Sequence, residues 1–133
     1  MKKIEHIGIA VSNLKKANKL YTNLLGKQPY KTESVSTEGV ITSFFQSGNT
    51  KIELLEGVGD DNAISKFIKN KGEGIHHIAF EVDDIILEIK RLKKLGFKII
   101  NETPKKGADN KLICFIHPKS TNHVLIELCQ EIK

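Results

Sequence analysis

Two copies of one sequence pattern occupy the chain, and this repeat constrains the fold more than any other feature. His-Ile-Gly-Ile-Ala-Val begins at His6, and His-Ile-Ala-Phe-Glu-Val begins at His77, 71 residues later. Ile-Glu-Leu also recurs, around Glu53 and Glu127, which are 74 residues apart. A three-residue difference in loop length reconciles the two spacings. The period is too long for a solenoid repeat, so the sequence predicts two similar modules.

Each copy predicts the order strand, helix, strand, strand, strand. A capping residue follows the first strand, either Ser12 or Asn13 in the first copy and either Asp83 or Asp84 in the second. The helical run then ends at Leu-Gly in both copies. Apolar residues recur at helical spacing at Leu14, Ala17, Leu20, Tyr21, Leu24 and Leu25, and less strictly at Ile85, Leu87, Ile89, Leu92 and Leu95.

The length of 133 residues fits one α+β domain. We expect module 1 at about residues 1–56 and module 2 at about residues 74–131, with inner strands at residues 40–46 and 112–116. Between the modules, Ala63, Ile64, Phe67 and Ile68 have helical spacing, which predicts a linker helix at about residues 60–72.

Composition narrows the classes of partner. The 21 Lys+Arg against 16 Asp+Glu give a formal charge of +5, which favours an anionic partner. The lysines lie mostly on helical patterns and the chain has no Trp, so a small anionic molecule is favoured over nucleic acid. No segment approaches the roughly 18 to 20 apolar residues of a membrane span, and no apolar signal region begins the chain. We therefore expect a cytoplasmic protein without membrane contact.

The two cysteines are predicted to be buried thiols. Cys114 and Cys129 lie in strand patterns, and neither belongs to a CxxC motif or a cysteine and histidine cluster with zinc spacing. Nothing in the sequence signals export, which favours the reduced form.

The repeated histidines and glutamates predict a metal site. If the modules pack as pseudo-symmetric copies, His6, Glu53, His77 and Glu127 converge. A glutamate at an inward strand position is costly unless it is paired or coordinated. Two imidazoles and two carboxylates suit one divalent ion of Co, Mn, Zn, Ni or Fe. The alternative is four ordinary hydrogen-bonded or surface residues, and their matched recurrence argues against it.

Four segments also carry a family resemblance. They read HIGIAV from His6, GNTKIELLE at residues 48–56, GIHHIAFEVD at residues 74–83, and HPKS with VLIEL at residues 117–128. Together they resemble the methylmalonyl-CoA epimerases of the vicinal oxygen chelate superfamily, to which glyoxalase I also belongs. The resemblance implies two paired βαβββ modules forming a curved eight-stranded mixed sheet around a metal site, with the helices outside, and a homodimer.

The same resemblance implies roles for individual residues. The metal ligands would be His6, Glu53, His77 and Glu127, although some epimerases have Gln where Glu53 stands. In the implied reaction the proton α to a thioester is removed and returned through a metal-stabilised enolate, with Glu53 and Glu127 as the catalytic bases. A separate glutamate considered as the base in some epimerases aligns with Thr42 here.

Further positions are assigned by resemblance alone. A loop containing His117, Lys119 and Ser120 would lie near the substrate, where Lys119 and Ser120 could meet a carboxylate or phosphate; a plain turn is the alternative. His123 departs from a glycine-rich pair expected in this stretch and receives no role. His76 precedes a predicted ligand and is interpreted as structural or as a support for that ligand.

Two other functions remain open at this point. Lactoylglutathione lyase (glyoxalase I), or an isomerase of another thiol adduct, would use the same enolate chemistry on a small thiol adduct. A metal-free protein that sequesters a drug is disfavoured, because such a protein needs no set of four ligands. The HPKS and GIHHIA segments favour the epimerase.

Overall fold

Eight strands and three α-helices follow one another in the order predicted for two βαβββ modules joined by a helix. The structure is a computed structural model that describes all of residues 1–133. The first module contains β1 (Lys3–Ala10), α1 (Leu14–Leu25), β2 (Lys31–Val35), β3 (Val40–Ser47) and β4 (Thr50–Gly57). The linker helix is α2 (Ala63–Lys71), and the second module contains β5 (Gly74–Glu81), α3 (Ile85–Lys94), β6 (Lys105–Lys106), β7 (Lys111–Ile116) and β8 (Ile126–Glu131).

The chain divides into two compact units, and the divisions fall inside β1 and β5. The first unit comprises residues 6–76, and the second comprises residues 1–5 and 77–133. The linker helix α2 therefore belongs to the first unit.

The strands of the first unit are ordered β2-β3-β4-β1. β1 pairs with β4 in parallel, and the other two pairings are antiparallel. In this register Glu53 lies between Phe44 of β3 and Gly8 of β1. Because paired residues share a face and alternate residues along a strand face the same way, His6 lies on the same face as Glu53.

Helices cover both faces of the first unit's sheet. On one face α1 packs Leu14 against Phe45 and Leu54. On the other face, which carries Glu53, α2 packs Ile64 against Leu55. The linker helix thus closes one end of the face that carries the first predicted ligand pair.

The second unit repeats this arrangement with the strand order β5-β8-β7-β6. β5 pairs with β8 in parallel, and the other pairings are antiparallel. Glu127 lies between Phe115 of β7 and Ala79 of β5. Ile85 of α3 packs against Leu128 on the opposite face. The predicted α+β fold, with mixed pairing of eight strands in two βαβββ modules, is confirmed.

The helix starts are fixed by side chains from two directions. Asn13 and Asp84 are the N-caps, each accepting a hydrogen bond from the backbone N–H three residues later. In addition, Glu56 of β4 accepts from the Leu14 N–H at 2.5 Å, and Gln130 of β8 accepts from the Ile85 N–H at 2.8 Å. The last strand of each module therefore holds the first turn of its helix.

Some residues of the predicted apolar helix faces are not buried. Leu20 and Leu24 of α1 are mostly exposed, as is Leu87 of α3. The helices themselves are as predicted, so the periodicity located the helices correctly and overestimated the width of their buried faces. No helix has the length and apolar character needed to cross a membrane.

Candidate metal centre and active site

His6 and Glu53 form a buried pair in the first unit. The Nδ1 atom of His6 lies 3.1 Å from Oε2 of Glu53, and each residue is only 4% exposed. Their strands place them there: β1 and β4 are parallel neighbours, and His6 lies two residues before the residue paired with Glu53. Gly8, which is paired with Glu53, has no side chain and leaves space beside the carboxylate.

His77 and Glu127 form the matching pair in the second unit. The Nε2 atom of His77 lies 3.3 Å from Oε1 of Glu127, and each residue is 5% exposed. The residue paired with Glu127 in β5 is Ala79, which is again small. The structure therefore brings the four predicted ligands together as two pairs, one in each unit.

The donor set of each pair suits a divalent cation. A buried carboxylate is costly unless a cation or hydrogen bonds stabilise it. Two neighbouring ligand atoms of a six-coordinate ion at about 2.1 Å lie about 3.0 Å apart. The 3.1 Å and 3.3 Å separations are close to this value. The residues present therefore fit a divalent metal ion, with each pair supplying one imidazole nitrogen and one carboxylate oxygen.

An aromatic ring flanks each glutamate, a feature that the sequence analysis missed. Phe44 is directly opposite Glu53, and Phe115 is directly opposite Glu127. The Phe115 ring also packs edge-on against His77, with ring centroids 6.0 Å apart. The two phenylalanines are 71 residues apart, which is the spacing of the histidines, so the repeat carried a signal that could have located them.

Thr42 has an unsatisfied hydroxyl on the Glu53 face. It stands two residues before Phe44 in β3, and therefore on the same face of the sheet. Its side chain is fully buried, and its Oγ1 atom has no hydrogen-bond partner. Directly opposite it in β2 is Glu33. The position aligned with a glutamate base in some epimerases thus carries a hydroxyl here.

The HPKS segment forms a tight turn after β7. Residues Pro118–Ser120 make one 3₁₀ turn, whose first backbone donor, the Lys119 N–H, donates to Nδ1 of His117 at 3.0 Å. The Oγ atom of Ser120 accepts from the Lys98 N–H at 2.9 Å. His117 and Ser120 therefore stabilise the loop, and Lys119 carries a basic group on it; their contact with substrate stays a prediction.

Two left-handed residues follow this turn. Asn122 and His123 have φ values of 55° and 70°, a region in which residues other than glycine are uncommon. This geometry explains why a glycine-rich pair suits the stretch. It also shows that the chain keeps the loop conformation although His123 replaces a small residue.

His76 lies against the linker helix. Its ring packs edge-on against Phe67 of α2, with ring centroids 5.0 Å apart. Burial, followed by the positive charge of Lys71, lowers the pKa of His76 to about 4. The imidazole is therefore neutral near pH 7, in agreement with the structural interpretation of this residue.

Both cysteines are buried free thiols, as predicted. Burial, with a smaller contribution from the charge of Glu127, raises the pKa of Cys114 to about 11. Cys114 is opposite Leu128 and Cys129 is opposite Ile113, so the two side chains face opposite sides of the sheet.

Comparison with known proteins places the chain in a family. The model of the glyoxalase/bleomycin resistance protein/dioxygenase superfamily matches residues 5–115. The chain belongs to this superfamily. It is 45% identical over 127 residues to the mitochondrial methylmalonyl-CoA epimerase of Dictyostelium discoideum, covering 95% of this chain and 76% of that protein.

Two solved structures extend the comparison from this superfamily to the epimerase fold. The methylmalonyl-CoA epimerase of Mycobacterium tuberculosis superimposes with a TM-score of 0.93 at 31% identity, covering 98% of this chain and 88% of that chain. A methylmalonyl-CoA epimerase in complex with methylmalonyl-CoA and NH4+ superimposes with a TM-score of 0.92 at 29% identity, covering 98% and 95%. The predicted resemblance to methylmalonyl-CoA epimerases is confirmed.

Proposed function

We propose that the chain epimerises methylmalonyl-CoA at the carbon α to its thioester. The observation that carries this proposal is the buried histidine and glutamate pair that each unit holds at matching strand positions. It occurs in a chain that is 45% identical to a named methylmalonyl-CoA epimerase. A related epimerase structure contains methylmalonyl-CoA itself, which favours an anionic thioester as the substrate class.

His6, Glu53, His77 and Glu127 would together hold one divalent ion in this proposal. Their donor chemistry suits Co, Mn, Zn, Ni or Fe. Such an ion, when bound, supplies a Lewis acid that stabilises negative charge developing on the thioester oxygen, by several kcal/mol. The four side chains are each at least 95% buried, so the charge they carry would act in a medium of low polarity.

Glu53 and Glu127 are the proposed acid and base. One carboxylate removes the α proton and becomes a carboxylic acid, while the C–H electron pair passes into the enolate. The other, protonated at the start, then gives its proton to the opposite face of the same carbon. The ionisation states of the two glutamates are thereby exchanged, and the reverse reaction uses the same groups. Phe44 and Phe115, directly opposite the two glutamates, would limit access of water to them.

The assembly and compartment belong to the same proposal. A homodimer is supported by the family resemblance, and light scattering of the purified protein would test it. A reducing compartment such as the cytoplasm is supported by two buried free thiols on opposite faces of one sheet.

The decisive experiment is solvent exchange of the α proton. The Co(II)-loaded protein should transfer deuterium from D₂O into methylmalonyl-CoA, which mass spectrometry detects as a gain of one mass unit. Glu127→Gln should slow the exchange by a factor of about 100 or more, the usual contribution of a positioned acid or base. The exposed Asp60→Asn provides a control that should exchange normally.

Glu53→Gln separates two roles of one residue. Because an amide can still ligate through its oxygen but cannot accept the proton, this variant should keep its metal and lose exchange. Absence of exchange by the unmodified protein, together with turnover of methylglyoxal plus glutathione, would refute the epimerase and favour the lyase.

A further inference from the structure

Lys111 is a buried lysine without a protein partner. It is the first residue of β7 and only 7% exposed, whereas lysines on the helices are exposed. No hydrogen bond or ion pair joins its ammonium group to the rest of the chain. Glu131 is directly opposite in β8 and forms no ion pair with it. A buried cation without a partner is costly, so a ligand that pairs with it would be favoured.

The register places Lys111 on the face that carries the second ligand pair. Lys111, Ile113 and Phe115 alternate along β7, and Phe115 is directly opposite Glu127. Ile113 packs with Ala79 and Cys129 on this face. Four residues separate Lys111 from Phe115, about 13 Å along the strand. The four-carbon stem of the lysine spans a large part of that distance and leaves room for a small acyl group.

The turn before β7 fixes the position of Lys111. The Gly107 N–H donates to the Lys111 carbonyl oxygen at 2.9 Å. A Cβ atom at Gly107 would lie 2.7 Å from Cδ1 of Ile113, so glycine is needed there. Asp109 and Asn110 are left-handed, and the amide of Asn110 donates to the carbonyl oxygen of Ile132 at 3.2 Å. The lysine therefore starts from a well-defined backbone position.

We propose that Lys111 binds the free carboxylate of the acyl group and so selects malonyl-type thioesters over simple acyl thioesters. This inference rests on the proposed function, and it adds a specificity residue to it. A carboxylate is the chemistry that a buried unpaired ammonium recognises, because the pair forms charge-assisted hydrogen bonds away from bulk water. An acyl group without that carboxylate would leave the ammonium unpaired.

The test compares two CoA thioesters that differ in one carboxylate. Isothermal titration of the Co(II)-loaded protein with malonyl-CoA and with acetyl-CoA gives the ratio of their dissociation constants. Lys111→Met keeps the length of the side chain and removes its charge. We expect it to weaken malonyl-CoA binding by about tenfold to hundredfold, the usual effect of a hydrogen bond to a charged group, and to leave acetyl-CoA binding unchanged.

Matched variants make the result specific. Lys106→Met removes an exposed lysine of β6 and should change neither affinity, which controls for net charge. Lys111→Arg should retain part of the preference for malonyl-CoA, and Lys111→Gln replaces the Met variant if the latter does not fold. An unchanged ratio of affinities in folded Lys111→Met would overturn the inference alone. If the unmodified protein binds neither thioester, the proposed function fails as well.

Discussion

The orphaned hydroxyl of Thr42 has a cost that a substitution can measure. Its Oγ1 atom is buried without a hydrogen-bond partner, whereas the Oγ1 of nearby Thr32 lies 3.4 Å from Oγ of Ser43. Leaving a buried hydroxyl unsatisfied costs about 1 to 3 kcal/mol. A residue that is unfavourable for folding alone, and lies on the face of Glu53, is typical of a functional surface.

We expect Thr42→Val to stabilise the fold by about 1 kcal/mol, because valine has nearly the same shape and no polar atom to bury. Urea unfolding followed by circular dichroism gives the free energy of unfolding. Thr32→Val is the matched control and should give no such gain, because its hydroxyl already has a partner. A loss of stability in Thr42→Val would show that the hydroxyl is satisfied in solution.

Individual site residues differ in how far the sequence could predict them. His6, Glu53, His77 and Glu127 were predictable because a repeated pattern rarely preserves four metal-ligating side chains by accident. Phe44 and Phe115 were equally accessible through the 71-residue spacing. The isolation of Thr42 and Lys111 was not predictable, because it depends on which partners the packed strands leave absent.

At the scale of elements, the contact between α2 and the start of β5 is sensitive to acid. His76 is neutral in the folded state because burial lowers its pKa to about 4, below the 6.5 of an unperturbed histidine. Between these values the unfolded chain binds more protons than the folded chain. Lowering the pH through this window therefore favours unfolding, and the contribution to stability is complete only above about pH 6.5.

We expect the free energy of unfolding to fall by up to about 2 kcal/mol more in the unmodified protein than in His76→Gln between about pH 7.5 and pH 5. Urea unfolding at the two pH values provides the comparison. His123→Gln, which replaces an exposed histidine, should retain the full acid sensitivity. Equal pH dependence in all three proteins would mean that His76 titrates normally in the folded state.

The limits of sequence reasoning at this scale have a physical cause. Helical periodicity and capping residues located α1 and α3, and the structure selected Asn13 and Asp84 from the two candidates in each copy. Periodicity does not reveal what covers a helix, so the exposure of Leu20 and Leu24 could not be predicted. Nor could local pattern show that Glu56 and Gln130 would support the helix starts, since those hydrogen bonds join residues more than 40 positions apart.

For the whole molecule, the proposed metal site makes the two units depend on one ligand. An ion that binds only the folded chain stabilises it by about 2.7 kcal/mol at a concentration of 100 times its dissociation constant. If both pairs serve one ion, removing either histidine should abolish the whole of this gain. If each pair bound its own ion, one variant would lose only its own share.

We therefore expect calorimetric titration with Co(II) to give one ion per chain, and saturating Co(II) to raise the melting temperature by roughly 10 °C. His6→Ala and His77→Ala should each lose both effects, and Glu127→Ala should lose bound metal in elemental analysis. His117→Ala is the control and should bind Co(II) normally, because its Nδ1 atom accepts a hydrogen bond within the turn after β7. Two ions per chain, or half of the thermal gain in a single-histidine variant, would refute a shared site and leave two independent pairs.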